Sequence, residues 1–71
     1  MADLSARSVI ASTLLGTIPP CLPGRLLVAL AGEFGIQAGT TRTALSRMVD
    51  KGELRYIHGG RYELDGDLLA R

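Results

Sequence analysis

Small, hydroxyl-bearing and cationic residues are concentrated in one stretch of the chain and again in a glycine-containing turn that follows it. Hydroxyl and guanidinium groups are side chains that proteins use to hold DNA phosphates, and arginine also pairs bidentately with guanine edges. The pattern therefore favours contact with nucleic acid. The candidate DNA-binding residues are Gly39, Thr40, Arg42, Thr43, Ser46 and Arg47 in the stretch, and His58, Gly59 and Arg61 in the turn.

Five of these residues also have a purely structural interpretation. Arg42 and Arg47 fit the solvated face of an amphipathic helix, since cations are common on such faces. Thr40 and Thr43 are typical of the start of a helix, and His58 fits an ordinary turn. The residue types alone leave both interpretations open, and the elements that position these side chains must be considered.

The charge distribution favours a partner with negative charge. The net charge is only +1. Residues 36–62, however, hold five cations against two carboxylates, whereas residues 1–35 balance and residues 63–71 are acidic. A short basic block in an otherwise neutral chain is typical of a nucleic-acid footprint. Within that block, Lys51 and Arg55 either neutralise phosphates at a distance or have no role, and Tyr56 and Tyr62 are predicted to pack rather than to stack on bases.

The composition argues against catalysis. The chain contains one cysteine, Cys21, and one histidine, His58, and its carboxylates do not pair at a usable spacing. We therefore expect no enzyme activity, no cofactor, no metal site and no internal disulfide. Cys21 is interpreted as a small apolar residue whose free thiol fits the reducing cytoplasm. The apolar stretch at residues 9–15 is too short for a signal peptide or a membrane span, so no membrane partner is predicted.

Helix-stop signals divide the first two thirds of the chain into three helices. Ser5 can cap a helix over residues 6–15 that ends at Gly16, and the prolines at residues 19 and 20 predict an extended piece over 18–22. A second helix is predicted over 23–34, with Pro23 in its first turn and Gly35 as its left-handed stop. A third is predicted over 38–51, stopped by Gly52 in the same way.

A β-hairpin is predicted after the third helix. Residues 53–57 and 61–64 read as strands around a turn at 58–60, and residues 67–71 as the start of another helix. Aliphatic side chains must supply most of the core, since there is no Trp, and Phe34 is expected to be its largest side chain. The inward face of the third helix is predicted to hold Thr41, Ala44, Leu45, Met48 and Val49. The other expected core residues are Leu14, Leu15, Leu27 and Leu30.

This order of elements predicts one domain over residues 1–71, a winged helix-turn-helix of the α+β class that is mostly α, with three helices and a β-hairpin wing. The turn of the helix-turn-helix is Gly35-Ile36-Gln37, with Ile36 tucked between the two helices. The third helix would offer its outer face to the major groove, and the wing tip, residues 58–61, would contact the backbone or the minor groove.

Several runs of the sequence resemble the N-terminal domain of the PaaX family, bacterial repressors of phenylacetic acid degradation genes. The most specific is the block Arg-x-Ala-Leu-Ser-Arg-Met at residues 42–48. The others lie at residues 6–10, 22–25, 31–36, 39–49 and 52–54. Two positions depart from the winged-helix pattern: Gln37 stands where a Ser or Thr cap is usual, and Thr41 where an apolar residue is usual.

The resemblance implies sequence-specific binding of double-stranded DNA by a cytoplasmic transcriptional repressor. In the similar GntR family, an arginine at the place of Arg42 and a His-Gly wing tip at the place of His58-Gly59 touch operator DNA. PaaX-type repressors also have a C-terminal region that binds an aryl-CoA thioester and helps them to form homodimers. That region is absent from these 71 residues, so this chain is not expected to sense a ligand by itself. The alternative function is a winged helix for protein–protein contact that has lost DNA binding.

Overall fold

The computed structural model describes residues 5–65, which form three helices and a three-stranded antiparallel sheet. The elements, in chain order, are α1 (Ala6–Leu15), β1 (Cys21–Pro23), α2 (Gly24–Glu33), α3 (Ala38–Asp50), β2 (Leu54–Ile57) and β3 (Arg61–Leu64). The arrangement is α+β, mostly helical, and agrees with the predicted winged helix. The helix predicted at residues 67–71 lies outside the described residues.

Helices α2 and α3 are both followed by a glycine in the left-handed conformation. The turn at this glycine sets the direction of the chain into α3 in the first case and into the wing in the second. Gly35 and Gly52 adopt φ values of 80° and 78°, as predicted for left-handed stops. After each glycine the chain turns back, and the amides of Ile36 and Glu53 donate to the carbonyls of Ala31 and Met48 at 3.1 and 2.9 Å. These paired bonds satisfy carbonyls that a helix end would leave without partners. Ile36 is half-buried beside the turn.

The start of α1 is capped as predicted. The Ser5 hydroxyl accepts a hydrogen bond from the amide of Ser8 at 3.2 Å. At the start of α2, Pro23 is the N-cap residue rather than the first helical residue, and the helix begins at Gly24. Gln37 precedes α3 without a side-chain cap, in agreement with its departure from the usual Ser or Thr. The Thr41 hydroxyl donates to the Gln37 carbonyl at 3.3 Å, a bond that leaves the first amides of α3 uncapped by a side chain.

The extended segment joins the wing to form the sheet, in the order β1-β3-β2. It is shorter and later than predicted, since β1 covers residues 21–23 rather than 18–22. Cys21 pairs with Glu63 and Pro23 with Arg61, so β1 is an edge strand, where the missing amide of proline is tolerated. On the other side of β3, Leu54 pairs with Leu64 and Tyr56 with Tyr62.

The core lies where the three helices meet the inner face of the sheet. Its buried residues include Thr41, fully buried on the inward face of α3 with its hydroxyl hydrogen-bonded to the helix backbone. Leu30 and Val49 are half-buried. The apolar cluster is formed by Ile10, Ala11, Leu14, Leu27, Leu45, Met48, Leu54 and Leu64.

Two core predictions are wrong, Phe34 and Leu15. Phe34 is 57% exposed and Leu15 is 59% exposed. Helix α2 ends at Glu33, one residue before the predicted end, and Ala31 fills the buried position at the end of its apolar stripe. Phe34 therefore lies beyond the end of the helix, and its side chain does not reach the core. Leu15 follows the buried Leu14 directly, and adjacent helical residues point about 100° apart.

Candidate nucleic-acid interface

The outer face of α3 carries the six residues predicted for DNA contact in that helix. All of them are exposed, while Thr41, Leu45 and Met48 on the opposite face are buried. The glycine and the short hydroxyl side chains leave little bulk near the start of the helix, so its first turns can approach a ligand closely. The exposed residues are Gly39, Thr40, Arg42, Thr43, Ser46 and Arg47.

The hydroxyl of Thr43 is partly engaged within the helix. It donates to the Gly39 carbonyl at 3.0 Å. A hydroxyl has one proton to donate and two lone pairs to accept, and a phosphate oxygen can only accept. In this rotamer Thr43 is therefore suited to accept from a base amino group, and it must rotate to donate to a phosphate.

The wing tip follows β2 directly and has almost no apolar surface. His58, Gly59 and Arg61 are exposed, and Gly59 and Gly60 adopt φ values of 94° and 82°. Those φ values lie in the left-handed region that glycine reaches without a steric cost, which explains why the predicted turn contains glycines. The tip presents the Arg61 guanidinium, the His58 imidazole and bare backbone.

The wing tip is fastened to the start of α2. The Gly24 amide donates to the Gly60 carbonyl at 2.8 Å. The Tyr62 ring packs on Gly24 so closely that a Cβ there would lie 2.8 Å from the ring carbon Cε1. This contact requires glycine at position 24 and fixes the wing relative to the helices.

Two arginines of the described chain are neutralised by carboxylates. The Arg7 guanidinium donates to both oxygens of Glu53, from Nε to Oε1 at 3.0 Å and from Nη2 to Oε2 at 2.7 Å. Arg55 donates to Asp65 at 2.9 Å and lies 3.7 Å from Glu63. Of the two roles left open for Arg55, neutralising DNA phosphates is the less favoured, because its charge is already paired.

The hydrogen bonds of these pairs also shift the pKa values of Arg7, Glu53 and Arg55. The hydrogen bond from Arg7 lowers the pKa of Glu53 below its ordinary value against an opposing effect of burial, and the same bond raises the pKa of Arg7. The hydrogen bond to Asp65 raises the pKa of Arg55. The Arg7–Glu53 pair joins the start of α1 to the segment between α3 and β2.

The remaining cations are available to a ligand. Within residues 5–65, none of the arginines at 25, 42, 47 and 61 forms an ion pair, and all four are exposed. Lys51 is exposed as well. Arg42, Arg47 and Arg61 were predicted from the sequence. Arg25 was not predicted as a contact residue, because it belongs to the stretch whose charges balance. Its position at the start of a helix, two residues after Pro23, is the signal that could have identified it.

The predicted residues fall on two neighbouring surfaces rather than on one. Thr40, Thr43 and Arg47 line a groove between α1 and α3, together with Lys51, Ser5 and the Arg7–Glu53 ion pair. Arg42 lies on the other side of α3, in a shallow depression with Arg25, Tyr56 and Tyr62. Gly59 and Arg61 line an adjoining depression that also includes Arg25. Gly39, Ser46 and His58 line none of these three.

Tyr56 and Tyr62 form an edge-to-face pair with ring centroids 5.3 Å apart. Tyr62 is half-buried and packs as predicted. Tyr56 is 56% exposed, so its ring is only partly used in packing.

Metal-ligating groups are scattered over the described chain. Residues 5–65 contain no group of three or more His, Cys, Asp or Glu side chains that could hold a metal ion, and Cys21 is free and half-buried. Among the same residues no helix is long and apolar enough to cross a membrane.

The family model for PaaX-like proteins matches residues 5–68, which is nearly the whole chain. The chain belongs to the PaaX-like family. The resemblance seen in the sequence is thereby confirmed, and this family of transcriptional repressors gives the PaaX-like chain a role in transcription regulation. No curated protein and no solved structure matches the chain.

Proposed function

We propose that this PaaX-like chain binds double-stranded DNA in a sequence-specific manner, as the DNA-reading domain of a bacterial repressor in the cytoplasm. The observation that carries the proposal is the exposed outer face of α3, where Arg42 and Arg47 are unpaired within the described chain and flank small and hydroxyl residues. A helix of this kind fits the major groove of B-DNA, which is wide enough to admit it.

The roles of the residues follow from their positions. Arg42, on the flank of α3 that faces the wing, reads a guanine edge bidentately. Arg47 and Thr40, on the flank that faces α1, hold phosphates along the other side of the major groove. Arg61 and the glycine backbone at 59 approach a phosphate or the minor groove. Gly39, Thr43, Ser46 and His58 complete the contact surface.

Salt dependence of duplex binding tests this function. Phosphate contacts release counterions, so log K falls linearly with log salt, at roughly 0.9 per phosphate neutralised on B-DNA. We expect a steep slope for the purified chain on any duplex and a tighter complex on selected sequences. Binding that does not change with salt, or the absence of binding at low salt, contradicts the proposal.

A second candidate, protein contact, is favoured by exposed apolar side chains outside α3 and the wing tip. Ile18 is 96% exposed and Phe34 is 57% exposed, and both lie in connections next to α1 and α2. These residues leave the outer face of α3 free for DNA. A protein partner and DNA can therefore bind different faces of the same domain.

The proposal assigns no catalytic step to this chain. We propose that it acts by binding alone, without a cofactor, since its candidate residues are suited to contact with phosphates and base edges. A homodimer and an aryl-CoA effector belong to a longer repressor with a C-terminal region. Both are proposed only for that context.

A further inference from the structure

The surface between the start of α2 and the wing carries three cations, of which Arg25 has no role so far. This surface has two adjoining depressions, and Arg25 lines both of them. It lies with Arg42 and Tyr56 in one and with Arg61 in the other. No acidic side chain is among the described residues that line either depression. The charged side chains that line this α2–wing surface are therefore all arginines.

The three arginines are held on a rigid support. Arg25 directly follows Gly24, whose amide donates to the Gly60 carbonyl at 2.8 Å and whose Cα lies under the Tyr62 ring. Arg61 is paired with Pro23 across the β1–β3 ladder. Arg42 lies on α3, which is packed on α2 through Leu45 and Leu27 of the common core. Because backbone and core contacts fix all three elements, the relative positions of the arginine Cα atoms are set before a ligand binds.

The position of this surface determines what it meets on DNA. With α3 in the major groove and the wing tip at the minor groove, the sugar–phosphate strand that separates the two grooves must pass between α3 and the wing. The α2–wing surface occupies that place. We propose that Arg25, together with Arg61, binds the phosphates of this strand beside the base-reading Arg42, and that the exposed ring of Tyr56 packs against one of its deoxyriboses. This inference rests on the proposed DNA-binding function and adds Arg25 and Tyr56 to it.

Several features make a nucleic-acid strand the fitting ligand. Guanidinium groups match phosphate oxygens in bidentate geometry, and two of them on one surface, Arg25 and Arg61, suit successive phosphates of a strand. Gly60 has no side chain and open space around it, so a ligand can approach the backbone closely there. The half-exposed Tyr56 offers the apolar face of its ring, on which the carbons of a sugar can pack.

The test compares salt slopes of duplex binding for the wild-type chain, Arg25→Ala, Arg25→Lys and Arg55→Ala. Arg25→Ala is expected to weaken binding roughly tenfold on every duplex and to lower the salt slope by about 1. Arg25→Lys keeps the charge and the slope. Arg55→Ala is the matched control, since Arg55 is also an exposed arginine near the hairpin but is paired with Asp65; its slope should stay that of the wild type. Melting curves verify that each variant is folded.

The outcomes separate this inference from the proposed function. A wild-type slope for Arg25→Ala overturns the phosphate role of Arg25 while DNA binding by the chain stands. A loss confined to one DNA sequence also overturns it, because a base contact rather than a phosphate contact would be responsible. If the wild-type chain shows no salt-dependent binding to any duplex, the function and the inference fall together.

Tyr56 is tested in the same assay. Tyr56→Phe keeps the ring and should bind like the wild type, whereas Tyr56→Ala should bind several-fold more weakly with an unchanged salt slope, since no charge is removed. A folded Tyr56→Ala chain with wild-type affinity removes Tyr56 from the contact. A changed slope contradicts its assignment as an uncharged sugar contact.

Discussion

Leu45 and Leu15 provide a direct test of the packing that holds α3 in place. Both are helical leucines that the sequence places in the core, yet Leu45 is 2% exposed and Leu15 is 59% exposed. Leu45→Ala removes buried methyl groups and leaves a cavity in the cluster with Leu27 and Met48. Such a change typically costs about 2–5 kcal/mol.

The magnitude is large for a chain of this size. At roughly 0.05–0.15 kcal/mol per residue, the 71 residues have a free energy of unfolding of about 4–10 kcal/mol. The loss at Leu45 is therefore a substantial part of the total, and at about 4–8 °C per kcal/mol it lowers the Tm by roughly 10 °C or more. Leu15→Ala removes the same atoms from an exposed position, and its effect should stay within about 0.5 kcal/mol.

Thermal and urea unfolding of the two variants, followed by circular dichroism, supplies the measurement. The reasoning is refuted if Leu45→Ala melts within a few degrees of the wild type, or if Leu15→Ala costs as much as Leu45→Ala. Phe34→Ala is a further control, because the exposed Phe34 should behave like Leu15 and not like a core residue.

Three further predictions follow from individual contacts. Gly24→Ala should destabilise the fold by about 1–3 kcal/mol because its Cβ would meet the Tyr62 ring. Gly32→Ala, whose Cβ would meet nothing within 4 Å, should instead stabilise α2 by about 0.5–1 kcal/mol. The midpoints of urea unfolding of the two variants are compared with that of the wild type, and equal effects would contradict the packing. Arg7 lowers the pKa of Glu53, so the charged Glu53 carboxylate contributes stability at pH values above its ordinary pKa of about 4.5. That contribution is lost as the pH falls through the lower pKa of Glu53 in the folded state. Arg7→Met should therefore lose less stability than the wild type between about pH 5 and pH 3, and parallel pH profiles would exclude the linkage. Arg61→Ala should weaken binding to all duplexes alike and lower the salt slope by about 1, while an unchanged slope would make the wing a structural hairpin.

Local signals in the sequence predict the helices and the wing well because their physical causes are local. Gly35 and Gly52 end their helices through left-handed φ values that few other residues adopt, and Ser5 caps α1 through its neighbour Ser8. Both causes lie within a few residues of the helix end. The bounds of α1 and the glycine stops after α2 and α3 therefore follow from short windows of sequence.

The rest depends on contacts between residues far apart in the chain. The pairing of Cys21 with Glu63 joins the extended segment to the wing, and nothing near either residue indicates the other. Phe34 has the chemistry of a core residue, but Ala31 and the helix end exclude it. Arg25 lies in a stretch of zero net charge, and long-range contacts, the Gly24–Gly60 hydrogen bond and the pairing of Pro23 with Arg61, bring it beside the wing. The α2–wing surface could therefore not be predicted from spacing alone.

The central claim is that α3 reads DNA, and selection of binding sites from random duplex DNA tests it most directly. The purified wild-type chain should enrich a defined sequence. Arg42→Ala should bind that sequence about 1–3 kcal/mol more weakly and lose preference at one base pair, while Arg55→Ala should enrich the same sequence as the wild type. No enrichment by the wild-type chain, or an Arg42→Ala variant with unchanged preference, would contradict the assignment of α3 as the reading helix.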